Sequence, residues 1–334
     1  MIFLALMNFN TRRFNTIALA LAMTLANAAP AIAQTYPTRP IRMVVPQAAG
    51  STADILARVI GAEMAKELGQ AIVVENKVGA GGTIASSDVA NSVPDGYTIG
   101  IASQGTLVFN QALYAKPGYD SLKDFSLIGL IGGVSNVLIV PPASDAKTVM
   151  ELVAKATAKP GSLSYSSGGS GTSHHLSGVL FSQLMGIDLL HVPYKGAPQG
   201  ILAVMSGEVD MAFYNTPTVL TQIKSGKVKA LAVTSKTRSA LLADVPTMDA
   251  SGVKGYEVNT WLGLIGTAGT PRDVVLKLNQ ALIKVMTKPA MREKLVAQGV
   301  DIAKDPSPET FGKLLRSDME SWPAIIKKSG ARVD

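Results

Sequence analysis

Short runs of β-branched and apolar residues alternate with amphipathic stretches from Ile41 onward, and this alternation constrains the fold more than any other feature. Most runs are followed by a loop of small residues and then by a segment whose apolar residues recur on one helical face. That order is typical of β-α units around mostly parallel sheets, so we predict an α/β fold. The candidate strands are residues 42–45, 72–75, 98–102, 137–140, 163–165, 189–192, 209–213, 229–234 and 262–265.

The last quarter of the chain differs from the rest. Residues 271–328 carry no strand signal and predict three helices, with breaks at Pro289 and Pro306. Three helix starts are marked by a hydroxyl residue followed by proline, which suits an N-cap and a first helical position. These pairs are Thr216-Pro217, Thr270-Pro271 and Ser307-Pro308.

The first 33 residues have the pattern of a removable export signal. Arg12 and Arg13 precede an apolar stretch at 14–25, and Ala31-Ile32-Ala33 forms an A-x-A cleavage site. No later segment reaches the ~18 uninterrupted apolar residues that a membrane span needs. We therefore predict an exported protein cleaved near Ala33. The remaining 301 residues (334 minus 33) exceed the usual size of one domain, which predicts two.

Charge and cysteine content exclude several function classes. Removing two arginines and no acids lowers the formal net charge from +7 to +5. The remaining basic residues are scattered and are not interleaved with aromatic residues, which argues against a nucleic-acid partner. The chain contains no cysteine, which excludes disulfides, thiolate metal sites and cysteine nucleophiles.

Four loops share the form strand, small polar residues, helix. At such a loop the first helical N–H groups lack intrahelical partners and the helix dipole favours an anion. None of the four contains Lys or Arg, so an anion there would be held by backbone amides and hydroxyls. Simple capped turns are the alternative, and Ser51-x-x-Asp54 itself resembles a capping box. The loops are PQAAGSTAD (46–54), VGAGGT (78–83), SQGT (103–106) and YSSGGSGTSHHLSG (165–178).

A dinucleotide, a metal or a catalytic serine explains these loops less well. VGAGGT lacks the third glycine of the dinucleotide fingerprint, and no acid ends the next strand. His174 and His175 are adjacent, so they point about 100° apart on a helix and cannot share a metal. A hydrolase would use Ser170 with His191, oriented by Asp188 or Asp210, yet the segment fails G-x-S-x-G. We interpret His174 or His175 as first-turn packing residues and His191 as a hydrogen-bonded strand histidine.

An ordered series of motifs resembles the Bug family, the extracytoplasmic solute receptors of tripartite tricarboxylate transporters. The resemblance covers residues 36 to about 332. The motifs are YPTRPIRMVVP, Ala57-Arg58, VVENKVGAGG, PDGYT, YSSGGSGTSHHL, HVPYKG, GEVDMAF, KVKALAVTS, DVPT and AGTP.

The resemblance implies a receptor without catalysis, metal or cofactor. It implies a two-lobed periplasmic-binding-protein (type II, Venus-flytrap) fold with two mostly parallel sheets flanked by helices. Lobe 1 would comprise residues 34–136 and 259–334, and lobe 2 residues 137–258. The receptor would act as a monomer, capture a small carboxylate in the interlobe cleft and deliver it to a membrane permease. A serine hydrolase at Ser170 and a sensor for a signalling partner are the alternatives.

Carried over by position, the resemblance also implies the ligand contacts. Relatives usually have phenylalanine and proline where this chain has Gln47 and Ala48, so we expect Gln47 to tune specificity. The turn at Lys195-Gly196 is expected near the far end of the ligand, together with Tyr214-Asn215. Trp261 is expected to pack between the lobes, and Trp322 to pack in the core. The implied ligand-binding residues are Gln47, Ala49, Gly50, Ser51, Asp54, Ser103, Thr106, Ser167, Gly168, Ser170, Thr172, Ser173, Tyr214 and Asn215.

Overall fold

The computed structural model describes residues 36–329 and 333, and the proposed export signal lies outside the described residues. The chain consists of two compact units, and the second unit begins at Arg39. All helices and strands described here belong to this second unit. Strands and helices alternate as expected, which confirms the α/β class. The strands are β1 Ile41–Val45, β2 Ile72–Asn76, β3 Thr98–Ser103, β4 Phe125–Val140, β5 Leu163–Ser167, β6 Leu189–Pro193, β7 Met211–Asn215, β8 Lys229–Val233, β9 Asn259–Thr267 and β10 Val300–Ile302.

Ten α-helices are described between these strands, together with a π-helical turn at Gly105–Phe109 and short 3₁₀ turns at Ala80–Gly82 and Ala240–Leu242. In the part of the chain covered by the structure, no helix is both long and apolar enough to cross a membrane. The helices are α1 Thr52–Leu68, α2 Thr83–Ala90, α3 Asn110–Leu113, α4 Val149–Ala158, α5 Ser173–Met185, α6 Ala197–Ser206, α7 Thr216–Lys224, α8 Arg272–Thr287, α9 Pro289–Val296 and α10 Pro308–Ser329.

The strands form one continuous mixed sheet in the order β2-β1-β3-β9-β4-β7-β5-β6, with β8 and β10 also paired to β4. Pairing is parallel at both ends, between β1 and its neighbours and between β5 and its neighbours. It is antiparallel in the middle, around β4 and β9. The sequence predicted two mostly parallel sheets. The structure has two parallel groups of strands, which antiparallel strands join into one sheet.

Strand β4 spans both groups. Its residues Phe125–Ser135 pair with β9, whereas Asn136–Val140 pair with β7 or β8. The sequence predicted only residues 137–140, because glycines weaken the strand signal in the first half. Gly132 allows β10 to approach, since a side chain there would overlap the Asp301 carbonyl. The change of partners lies beside Asn136, where the resemblance implies a lobe boundary, and the lobe boundaries remain a prediction.

Helix starts were predicted to within one residue. Ser307 Oγ accepts the Thr310 N–H at 3.1 Å before α10, which confirms that N-cap. Helices α7 and α8 begin one residue away from the prediction, because Asn215 and Pro271 occupy their N-cap positions. The last quarter contains the three predicted helices, but it also contains the three-residue strand β10, which the sequence analysis missed.

Both tryptophans pack within the fold. Trp261 is buried on β9, its ring lies edge-on to Phe311, and its Nε1 donates to Asp318 Oδ2 at 2.7 Å. Trp322 on α10 lies against the Phe109 ring at a tilt and packs against two separate clusters of buried apolar residues. The packing role expected for Trp322 is confirmed.

Candidate functional site

The loops at the carboxyl ends of the parallel strands converge on two adjoining spaces. Ligands of open α/β sheets bind outside these strand ends. The larger space, which we call the outer cavity, has a volume of about 220 Å³. Its lining is Pro46, Gln47, Val78, Gly79, Ala80, Gly81, Gly82, Tyr114, Gly168, Gly169, Ser170, Thr172, Tyr194, Lys195 and Val333.

The smaller space, which we call the inner pocket, has a volume of only about 20 Å³ and shares Gln47, Gly81 and Thr172 with the outer cavity. Among its lining residues none is charged. Hydroxyls, amides and backbone therefore provide its polar contacts. The lining is Gln47, Thr52, Gly81, Ser103, Gly105, Gly171, Thr172, Ser173, Asn215, Thr260 and Leu262.

Glycines allow the facing loops to touch backbone to backbone. A methyl group on Gly171 would overlap Asn110 Oδ1, and one on Gly81 would overlap the Ser170 carbonyl. A methyl group on Gly105 would lie 2.9 Å from the Gly171 carbonyl oxygen. The facing loops are therefore in close contact, and Asn110 Oδ1 is buried beside them without a hydrogen-bond partner among the described atoms.

Asp54 supports the first loop from within. Its Oδ2 accepts the Gly50 N–H at 2.9 Å, and its Oδ1 accepts Arg58 Nε at 2.9 Å and Asn76 Nδ2 at 3.0 Å. Burial alone raises the pKa of this carboxyl, but the hydrogen bonds and the Arg58 charge outweigh burial and lower it. Asp54 therefore stabilises the turn at Gly50, and both of its carboxylate oxygens accept hydrogen bonds from protein groups.

We expect Asp54→Asn to destabilise the receptor by about 1–3 kcal/mol, because the amide nitrogen cannot accept one of these hydrogen bonds and the remaining ones lose their charged acceptor. The free energy of unfolding in urea measures this loss. Asp145→Asn is the matched control, since Asp145 is 79% exposed and its side chain pairs with Lys155 on the surface; its effect should lie within about 0.5 kcal/mol of zero. Equal effects of the two substitutions would contradict the supporting role of Asp54.

Most backbone N–H groups of the loop after β5 donate hydrogen bonds to side chains. Gly168 N donates to His174 Nδ1 at 3.3 Å, Gly169 N to Ser167 Oγ at 3.1 Å, and Gly171 N to His175 Nδ1 at 3.2 Å. Among the described amides of this loop, Ser170 N has no partner. The expectation that a row of its backbone amides is available to an anion is therefore corrected for this loop.

The three histidines are neutral at physiological pH. Burial lowers the pKa of His174 to about 4, although its bond to Asn215 opposes the shift. Burial and the neighbouring His191 lower the pKa of His175 to about 3, and burial lowers that of His191 to about 4. The rings therefore act as hydrogen-bond acceptors and donors without a charge.

Asn215 connects facing loops at the floor of the inner pocket. Its Oδ1 lies 3.0 Å from His174 Nε2 and accepts Thr52 Oγ1 at 3.4 Å. Its Nδ2 donates to Asn136 Oδ1 at 2.6 Å. Thr52 begins the helix after the first loop, so this amide joins the loop after β1 to the loops after β5 and β7.

The predicted site residues divide into two groups. Those that line a cavity are Gln47, Ser103, Gly168, Ser170, Thr172, Ser173 and Asn215. Those that line neither space are Ala49, Gly50, Ser51, Asp54, Thr106, Ser167 and Tyr214. Ala49 and Gly50 are exposed, and the buried members of this group bond neighbouring protein atoms. As ligand contacts, all fourteen residues remain predictions.

The geometry does not assemble the serine hydrolase considered above. His191 Nε2 bonds Ser167 Oγ at 2.7 Å and does not bond Ser170. Asp210 accepts the N–H and hydroxyl of Ser164, so it does not orient His191. Ser167 is fully buried, and the low pKa of His191 makes it a weak base. The interpretation of His191 as a hydrogen-bonded strand histidine is confirmed.

Several lining residues were absent from the predicted site. The glycines of residues 79–82 belong to a loop that the sequence did single out, so its motif was the available signal. Tyr114 and Val333 lie next to each other through a parallel bridge between separate segments of the chain. Neither lies near a loop motif, so no local pattern indicates them.

Comparison with known proteins assigns the chain to a family. A family model described as the tripartite tricarboxylate transporter family receptor, TctC, matches residues 56–331. The chain belongs to this receptor family. As a TctC receptor it is a solute-binding protein and not an enzyme.

Solved structures of family members share the fold. The periplasmic binding protein BugD is 36% identical, with a TM-score of 0.85 over 89% of this chain and 99% of its own. A protein of R. palustris solved with adipate is 32% identical, with a TM-score of 0.86 over 89% and 100%. MatC from Rhodopseudomonas palustris, solved with bound malate, is 31% identical, with a TM-score of 0.84 over 87% and 100%. The TctC receptor described here therefore has the periplasmic-binding-protein fold.

Proposed function

We propose that this TctC receptor is exported to the periplasm, captures a small dicarboxylate between the facing loops and delivers it to the permease of a tripartite tricarboxylate transporter. The observation that carries this proposal is the uncharged inner pocket, which shares the lining residues Gln47, Gly81 and Thr172 with the outer cavity. The relatives solved with adipate and malate support the same ligand class.

The two spaces suit two parts of one acid. The inner pocket holds about one water-sized group in the closed arrangement. A carboxylate head can occupy it only if the loops first move apart and then close around the head. The body of the ligand lies in the outer cavity, whose apolar wall includes Val78, Tyr114 and Val333. Gln47 lies where the two spaces meet and contacts the ligand between its ends.

Closure requires two lobes that move as bodies. We place lobe 1 at residues 34–136 and 259–334 and lobe 2 at 137–258, with the receptor acting as a monomer. The change of partners along β4 at Asn136 supports this boundary. The Thr52–Asn215 and Gly171–Asn110 contacts then join opposite lobes and form when the ligand is captured.

A panel of acids tests the proposal by thermal unfolding. We expect adipate, malate or another short dicarboxylate to stabilise the receptor by about 2.7 kcal/mol at a hundred times its dissociation constant. Aromatic acids, tricarboxylates and neutral diols of equal length are the comparison ligands. If no dicarboxylate raises the midpoint of unfolding above the diols, the proposal is wrong.

Lys195 tests which end of the acid lies in the outer cavity. It is exposed and is the one charged side chain among the described lining residues. We expect adipate to bind about fivefold more tightly than hexanoate, because an exposed ion pair contributes up to about 1 kcal/mol. Lys195→Gln should remove this preference, whereas the exposed Lys159→Gln should retain it. Calorimetric titration measures both, and an unchanged preference in Lys195→Gln would place the second carboxylate elsewhere.

A further inference from the structure

All three histidines of the chain hold one ligand loop, the segment Ser167–Thr172. We propose that the neutral rings of His174, His175 and His191 are positioning residues that fix the shape of this loop, and that their protonation releases it. The proposal goes beyond ligand capture, because it concerns the shape of the loop in the ligand-free receptor as well.

His174 links the loop to the floor of the inner pocket. Its Nδ1 accepts the Gly168 N–H, so its proton lies on Nε2, which donates to Asn215 Oδ1. The ring is 2% exposed and packs against the Tyr214 ring at 4.8 Å. One neutral tautomer therefore satisfies both contacts, and the charged ring cannot accept the Gly168 N–H.

His175 and His191 hold the two ends of the loop as a stacked pair. Their ring centroids lie 4.1 Å apart, and the Tyr165 ring also stacks on His191 at 4.9 Å. His175 accepts the Gly171 N–H, while His191 bonds the Ser167 hydroxyl, which itself accepts the Gly169 N–H. Protonation of either ring places a positive charge against the other.

No described acidic group faces these rings to compensate a charge. The titratable side chains in ring contact with them are Tyr165, Tyr214 and the histidines themselves, and no carboxylate shifts the pKa of any of the three rings. The remaining polar partners, Asn215, Ser167 and the loop amides, are uncharged. Acid therefore removes the acceptors of Gly168 and Gly171 and leaves their N–H groups without a partner.

Substitutions of similar shape show whether the hydrogen-bond acceptor of each histidine or only its side-chain volume holds the loop. Asparagine places an oxygen near the position of histidine Nδ1, whereas leucine has the same branched shape without an acceptor. In the ligand-free receptor at pH 7, we expect His174→Leu and His175→Leu to speed amide exchange at Gly168 and Gly171, respectively, at least tenfold. His174→Asn and His175→Asn should stay within about threefold of the wild-type rates. Nuclear magnetic resonance of glycine-labelled protein measures these rates without any ligand.

The pH profile separates positioning from a purely structural role. The double variant His174→Asn/His175→Asn keeps both acceptors but no longer titrates at these positions. With adipate as probe, wild-type affinity should fall more steeply between pH 5.5 and pH 4.0 than that of the double variant, because the pKa of His174 lies at about 4 and protonation of adipate affects both proteins alike. Equal exchange rates in the Leu and Asn variants, or superimposable pH profiles, would overturn the proposal. Absence of adipate binding in the wild type would instead count against the proposed ligand, because the exchange rates still decide the role of the histidines.

Discussion

Gly171→Ala should weaken ligand binding about 10- to 100-fold while the ligand-free receptor remains folded. The new methyl group would overlap Asn110 Oδ1, a buried atom whose amide is fixed by a bond from Nδ2 to the Gly81 carbonyl at 3.0 Å. Overpacking of this kind costs about 1–3 kcal/mol. In our account the overlap arises only in the closed arrangement, so the cost appears as lost affinity. Calorimetric titration with the acid that stabilises most in the panel measures it.

Gly207→Ala is the matched control for this prediction. Gly171 and Gly207 have nearly equal backbone angles, with φ of 82° and 78°, so alanine meets the same left-handed strain of about 1 kcal/mol at both. Nothing lies within 4 Å of a methyl group on Gly207. Gly105→Ala is a second test, because its methyl group would lie 2.9 Å from the Gly171 carbonyl oxygen and Gly105 has no positive φ. Normal affinity in both Gly171→Ala and Gly105→Ala would show that these loops do not meet around the ligand.

Acid should destabilise the fold well above the pH at which carboxylates titrate. Burial lowers the pKa values of His174, His175 and His191 to about 4, 3 and 4 from the ordinary value of 6.5. Between these limits the unfolded chain binds more protons than the native protein. The stability that depends on neutral histidines is therefore fully present above pH 6.5, and it is lost as the pH falls towards 4. Each extra proton contributes about 1.4 kcal/mol per pH unit, so the slope approaches about 4 kcal/mol per unit.

Urea unfolding at pH 7.5, 6.0 and 5.0 measures this slope. This range lies above the ordinary carboxyl pKa values, so histidines dominate it. Replacement of all three histidines, as His174→Asn, His175→Asn and His191→Gln, should flatten the dependence whatever its effect on stability at pH 7.5. A wild-type stability that is constant from pH 7.5 to pH 5.0 would contradict the neutral, buried state of the rings.

Local patterns predicted most elements of the fold, because they depend on neighbouring residues. Runs of β-branched residues indicated the strands at the two parallel ends of the sheet. The pair Ser307-Pro308 indicated where α10 begins. The first half of β4 and the short β10 pair with each other through Gly132 and its neighbours. The glycines there allow a segment that is distant in the sequence to pack closely. Local strand propensity cannot predict such a contact.

The site was predictable as a set of loops and less so as a set of contacts. Small polar residues after each strand indicated which loops converge, and the structure brings the four loops into the same region. The direction of each amide was not predictable, because His174 and His175 lie four to six residues beyond the amides that they accept. Asn110 and Tyr114 reach the site from a segment without any motif, through packing of the whole chain.

A crystal structure with the acid that stabilises most in the panel tests the central claim most directly. Our account predicts one carboxylate in the inner pocket, within about 2.7–3.2 Å of polar atoms of residues such as Gln47, Thr172, Ser173 and Asn215. The rest of the acid should extend into the outer cavity towards Lys195. An acid bound outside the space between these loops, or loops that remain apart around a bound acid, would contradict it.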